Sequence, residues 1–228
     1  MSTIADRLLR IRQEIAAACV RSRRSPAEVT VVGVCKGQPA ERIAEAIAAG
    51  ITVLGENRLQ EGLAHKQALS QTKVAWHFIG TLQTNKAARI LAEFELIESV
   101  GSLAALQAID RRAQQPVEVF LEINCGGEES KSGFHPAQLP TLFPVLANLE
   151  RVKITGLMTI PPPCSDPGGS RPYFRQLRSL QGSLNEHGFP AVAIGQLSMG
   201  MSDDYPVAIE EGATLVRIGT ALFGGRQP

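Results

Sequence analysis

A strong charge of either sign is missing from this sequence. Lysine and arginine total 23 against 22 acidic residues, a formal net charge of +1. Without a global positive field, neither nucleic acid nor an anionic membrane is an expected partner. No apolar run approaches the ~18 residues of a membrane-crossing helix, and no secretory leader is recognisable. The four cysteines, Cys19, Cys35, Cys125 and Cys164, are scattered, with no C-x-x-C pair and no zinc-ligand spacing. That speaks against a disulfide framework or a metal site and fits a reducing, cytoplasmic compartment. No shift in composition marks a domain boundary, so one domain over residues 1–228 is expected. What is present is an ordinary globular composition, 44% hydrophobic and 20% charged, sufficient for one large core.

The organising stretch is Val29-Thr-Val-Val-Gly-Val-Cys-Lys36, a β-branched run that reads as a short buried strand ending in an amine. Side-chain alternation puts Thr30, Val32, Val34 and Lys36 on one face, and Val31, Gly33 and Cys35 on the other. Partial desolvation at such a strand end lowers an amine's pKa and makes it a better nucleophile toward carbonyls. The plain alternative is an ammonium group in water at the end of a strand.

Before it, apolar residues at Ile4, Leu8, Ile11, Ile15 and Ala18 predict an amphipathic helix within residues 1–24, covering part of the fold's exterior. Its arginines, Arg7, Arg10, Arg12, Arg21, Arg23 and Arg24, read as a solvated face or a surface for an acidic partner. After it, helical patterns alternate with seven more short apolar strands: Ile51–Leu54, Ala75–Ile79, Glu95–Glu98, Val117–Ile123, Val152–Met158, Ala191–Ser198 and Thr214–Ile218. Eight strands alternating with helices at a nearly even step favour a (β/α)8 barrel over an open doubly wound sheet.

Barrel active sites lie at the carboxyl ends of the strands. Collected there are Lys36, Glu56, Asn57, His77, Gln83, Asn85, Asn124, Lys131, Met158, the run Ser198-Met-Gly-Met-Ser202, Arg217, Gly219 and Thr220. Gly219-Thr220 offers bare N–H groups and a hydroxyl, with Ser198 adding a second hydroxyl, although a plain helix cap also explains the pair. Taken with Lys36 on the strand adjacent to the eighth, this suggests a phosphorylated carbonyl ligand, of which pyridoxal 5′-phosphate (PLP) is the obvious example. Arg217 is expected to point into the barrel, toward a pyridine nitrogen or an inward acid such as Glu122.

The motifs Gly55-Glu56-Asn57, His77-Phe-Ile-Gly-Thr-Leu-Gln-Thr-Asn-Lys86, Gly156-Leu157-Met158, Leu197-Ser-Met-Gly-Met-Ser202 and Val216-Arg-Ile-Gly-Thr-Ala-Leu-Phe-Gly224 resemble the YggS/PROSC family of PLP-homeostasis proteins. The resemblance runs from the first strand to Gly224. It implies a modified TIM barrel like the N-terminal domain of alanine racemase (fold type III), with PLP as a Schiff base on Lys36. It also implies phosphate contacts from Ser198, Gly219 and Thr220, Arg217 facing the ring nitrogen, and Asn57 and Met199 beside the cofactor.

The remaining residues have quieter readings. His77 is expected to be a hydrogen-bonded barrel histidine, Asn85 to tie down its loop, and Lys86 to be solvated. Lys131 is either a surface amine or a transient PLP acceptor, while Met158, Met199 and Met201 pack and Cys35 is inert. A guanidinium at the pyridine nitrogen is a poor partner for an electron sink, because arginine does not release its proton. Tyr173 and Tyr205 lie in no racemase motif, and fold type III enzymes continue into a second domain where this sequence stops. A monomeric, non-catalytic carrier that hands PLP transiently to apo-enzymes is therefore expected. A racemase or other PLP enzyme, and a PLP-free Schiff-base aldolase, are the alternatives.

Overall fold

The structure is a computed structural model that describes residues 2–128, 131–188 and 194–225. Eight parallel strands close a barrel in sequence order, with the last paired to the first. They are β1 Thr30–Val34, β2 Val53–Glu56, β3 Ala75–Phe78, β4 Leu96–Val100, β5 Val117–Glu122, β6 Val152–Met158, β7 Gln196–Met201 and β8 Leu215–Ile218. The helices around them are α1 Ile4–Ser22, α2 Ala40–Ala48, α3 Leu59–Ala68, α4 Ala87–Glu93, α5 Leu103–Arg112, α6 Leu139–Leu146, α7 Arg171–Glu186, α8 Tyr205–Glu210 and the one-turn α9 Thr220–Phe223.

Strand alternation divides the core in two. Val32, Phe120, Met158 and Leu215 form a small apolar plug inside the barrel, joined by Val53 and Leu96. Their sequence neighbours Val31, Leu54, Leu121, Leu157 and Val216 pack outward in the larger layer between strands and helices. Cys35 belongs to that outer layer, as its parity requires, and its buried thiol is pushed far above the usual range by desolvation and by the Glu56 charge.

The helix α1 starts on a capping box, in which Thr3 and Asp6 exchange side-chain bonds with each other's backbone N–H groups. It buries Ile4, Leu8, Ile11, Ile15, Ala18 and Cys19 and packs against α2, α8 and α9. The expected solvated arginine face is in part a set of clasps. Arg12 donates to the Gly50 carbonyl at 2.9 Å, Arg21 meets Glu210 at 2.6 Å, and Arg24 donates to the carbonyls of Ile209 and Ala213 at 2.9 and 2.8 Å.

Several strand ends differ from the sequence pattern, and at β2 and β7 the reason is visible. β2 begins at Val53 rather than Ile51 because Ile51 closes the preceding helix. Its N–H bonds the Ala46 carbonyl while Gly50, at φ +106°, bonds Ile47, a Schellman ending. β7 spans Gln196–Met201 instead of Ala191–Ser198. Ala191–Ala193 lie outside the described residues, and the strand continues through Gly200. That glycine is required by close approach: a Cβ there would stand 2.9 Å from Tyr205 Cα of α8.

Candidate functional site

The carboxyl rim is assembled around Lys36, which lies just beyond β1 in a tight turn. Gln38 N–H donates to the Cys35 carbonyl at 2.9 Å and Gly37 takes φ +67°, the positive value that a type II turn needs at its third residue. Lys36 is thereby presented, half-buried, at the barrel mouth, and its amine has no ion-pair or hydrogen-bond partner among the described residues. On the adjoining strand, Gly33 of β1 registers with Ile218 of β8, so the Lys36 turn and the Gly219-Thr220 turn stand side by side on the same rim. The residue before α9, Gly219, has no side chain with which to cap it, and the Thr220 N–H has no acceptor among the described residues.

Here the hydroxyl assignment changes. Ser198 does not reach the Gly219-Thr220 turn, because it registers with Leu215, below Arg217, and points into the barrel fully buried. The hydroxyl at the turn is that of Ser202, which accepts the Ala221 N–H at 3.1 Å. Met199, expected beside the ligand, is fully buried in the outer layer, as alternation from the inward Ser198 requires.

Below the rim a polar line crosses the barrel. His77 Nδ1 meets Glu98 Oε1 at 2.5 Å. Ser198 donates to Glu98 Oε2 at 2.6 Å and accepts from Arg217 Nη1 at 2.6 Å, and Arg217 Nη2 donates to the Thr159 carbonyl at 2.9 Å. His77 is thus the hydrogen-bonded barrel histidine its strand position predicts. Arg217 points inward as expected, with no carboxylate within ion-pair distance among the described residues; burial lowers its pKa, opposed by the charges of Glu98, Asp204 and Glu122. Burial in turn raises the Glu122 carboxyl, with Arg217 opposing.

Beside Lys36, on the strand that adjoins β1, Asn57 follows β2 directly. Its backbone carbonyl packs against Gly80, where a Cβ would collide with it, and its buried Oδ1 has no hydrogen-bond partner. An orphaned buried acceptor of this kind asks for a donor from a ligand. Elsewhere, Gln83, Asn85 and Lys86 are exposed, and no side-chain bond from Asn85 ties its loop among the described residues. Asn124 holds its own loop through the carbonyls of Glu128 and Lys131. Lys131 is paired with Glu128 at 2.5 Å. Beside the rim, a cleft of about 870 Å³ runs between the Pro161–Pro163 loop, Met201, Ser202 and Asp204 and opens to solvent. No group of three or more potential metal ligands occurs among the described residues, and no helix among them is long and apolar enough to cross a membrane.

The rim suits a ligand with a carbonyl at one end and an anion at the other, and comparison with known proteins points the same way. Residues 10–227 match the family described as alanine racemase, N-terminal domain. A protein of Aquifex aeolicus named pyridoxal phosphate homeostasis protein is 44% identical over 225 residues, covering 97% of this chain and 98% of the relative. The structure of PipY from Synechococcus elongatus with PLP bound is 36% identical, covers 97% of this chain and all of PipY, and superposes with a TM-score of 0.82. Alanine racemase of Corynebacterium glutamicum, 16% identical, shares the fold with a TM-score of 0.70 over 94% of this chain and 61% of the racemase. The chain therefore belongs to the alanine racemase N-terminal domain family and, within it, to the pyridoxal phosphate homeostasis proteins.

Proposed function

We propose that this protein binds PLP at the carboxyl rim of its barrel, covalently through Lys36, and acts as a monomeric cytoplasmic carrier in PLP homeostasis rather than as an enzyme. The observation that carries the reading is the pairing of two turns on neighbouring strands, one presenting an unpartnered amine and the other uncapped N–H groups. PLP supplies an aldehyde that condenses reversibly with an amine, losing water. Lys36 is the attacking amine in this reading. Gly219, Thr220 and Ser202, in place of Ser198, hold the phosphate by N–H and hydroxyl donation. Arg217 reaches the ring nitrogen from below, and Asn57 turns its orphaned acceptor toward the ligand. Met199 contributes packing behind the site, not a contact to it.

The carrier reading is supported by what the tyrosines do. The Tyr205 hydroxyl donates to Glu14 of α1 at 2.5 Å, and Tyr173 packs on the outer layer, so neither stands at the rim as an acid. The open cleft beside Ser202 gives an acceptor amine, on an apo-enzyme or free, a path to the site.

Reduction of PLP-loaded protein with borohydride, followed by peptide mass spectrometry, is expected to place the phosphopyridoxyl group on Lys36. Lys36→Ala is expected to keep its circular dichroism spectrum and lose the visible band. Labelling confined to Lys131 or other lysines overturns the assignment, a colourless wild type favours a PLP-free aldolase, and amino-acid racemisation by the loaded protein overturns the carrier reading.

A further inference from the structure

Glu56 is the last residue of β2 and immediately precedes Asn57, yet by alternation it faces outward, under α3. It is fully buried. One carboxylate oxygen meets His65 Nδ1 of α3 at 2.6 Å, and the other has no partner. The backbone carbonyl of Gln38, in the turn that presents Lys36, also favours the charged form of His65. The same helix holds that turn, because Glu61 Oε2 accepts the Gly37 N–H at 3.3 Å while Arg58 steadies Glu61 at 2.8 Å. The turn and the end of β2 are also joined directly, Cys35 N–H to the Gly55 carbonyl at 3.0 Å.

A buried ion pair is a weak source of stability, since desolvation offsets most of its attraction; its use is more often to fix one geometry. Here the pair lies behind both Lys36 and Asn57. We propose that His65 is the positioning residue for Lys36: paired with the buried Glu56 carboxylate, it bridges α3 to the end of β2, and α3 in turn holds Gly37 through Glu61, so that the turn carrying the amine is fixed relative to Asn57. The inference rests on the reading of Lys36 as the attachment amine.

The groups around His65 favour its charged form. The Glu56 hydrogen bond raises the imidazole pKa, opposed by partial burial and helped by the Glu56 charge, the Gln38 carbonyl and Glu61. From the neighbouring α4, Glu93 is paired with Lys66, and Cys35 beneath is a neutral thiol. Burial also raises the Glu56 carboxyl, so the bridge is complete above the raised Glu56 pKa and below the raised His65 pKa, and is lost as the pH leaves that window in either direction.

The test uses PLP-free protein. In His65→Leu, hydrogen exchange at the Gly37 and Gln38 amides, read at one pH below the wild-type His65 pKa, is expected to speed up about tenfold, and the rate of reductive methylation of Lys36 to change with it. In Glu56→Gln the His65 resonance is expected to titrate back near its ordinary value, about 6.5, with the same two amides exchanging faster. Exchange within about twofold of wild type in both variants overturns the proposal. If His65→Leu fails to fold by circular dichroism, Glu56→Gln decides alone. Because no cofactor is present in these measurements, a wild type that fails to label on Lys36 defeats the functional reading, while the His65 bridge still stands or falls on the two amides.

Discussion

Two serines four residues apart in one motif have opposite roles, and the difference follows from the parity and depth of each on a strand. Ser198, inside the barrel, is the only link in the described structure between the Glu98 carboxylate and the Arg217 guanidinium. Removing it leaves both charged groups buried and under-bonded, a penalty of about 1–3 kcal/mol. Ser198→Ala is therefore expected to lower the unfolding free energy of PLP-free protein by that amount in urea titrations. Among the described residues the Ser202 hydroxyl bonds only the Ala221 N–H, so Ser202→Ala is expected to leave the unfolding curve nearly unchanged and to weaken PLP binding about tenfold, or ~1.4 kcal/mol, in an absorbance titration. The reverse pattern, a binding defect from Ser198 and a stability defect from Ser202, would return the phosphate-binding hydroxyl to Ser198. The position of Lys36 just past the end of a strand was legible from the β-branched run before it and the glycine after it, whereas a role was not legible from that stretch alone, since a solvated ammonium fits the same pattern. The Glu98–Ser198 contact joins positions 100 residues apart, and nothing in local periodicity announces it.

At the level of elements, α1 does what the expected pattern of apolar residues requires, and its energetics can be checked. The last strand is followed among the described residues only by the one-turn α9, and α1 packs beside α8 and α9 where an outer helix would otherwise lie. Leu8 is 1% exposed at the centre of its buried stripe, and Leu8→Ala is expected to cost about 2–4 kcal/mol through lost transfer energy and a residual cavity. A loss below about 0.5 kcal/mol in urea denaturation would mean that α1 is dispensable to the barrel. The strands were legible as apolar runs, but their ends were not. Ile51 carries the composition of a strand and the backbone role of a helix ending, and Gly200 has the composition of a turn within a strand that must pass close to α8. At Ile51 a local capping motif, and at Gly200 a close approach to α8, overrides the strand signal. The arginine clasps of α1 were hidden for a related reason, since their acceptors at Gly50, Ile209 and Ala213 are backbone carbonyls, which carry no trace in composition.

For the whole molecule, the feature that bears on the carrier reading is the open cleft that adjoins the carboxyl rim at Ser202. Lys36 is half-buried, and the cleft between the Pro161–Pro163 loop and Met201–Ser202 opens to solvent, with Lys131 on its lining donating to the Pro161 carbonyl at 3.4 Å. An amine in solution can then approach without prior unfolding or lid movement. In the carrier reading, such an amine would replace Lys36 at the carbonyl carbon of the cofactor, and Lys36 would be released as a free amine. Under this arrangement, stripping of the loaded protein by a small amine such as hydroxylamine is expected to follow a rate that rises in proportion to amine concentration, with no plateau over a wide range. A bulky substitution on the cleft wall, Ser165→Trp, is expected to slow that rate several-fold while leaving the visible band and the thermal midpoint in place. If the rate instead saturates at low amine concentration, release is governed by an opening step of the protein, and the rim is closed in solution. A closed rim would require a segment that moves before transfer, and the carrier would then discharge on its own schedule and not on demand of the acceptor.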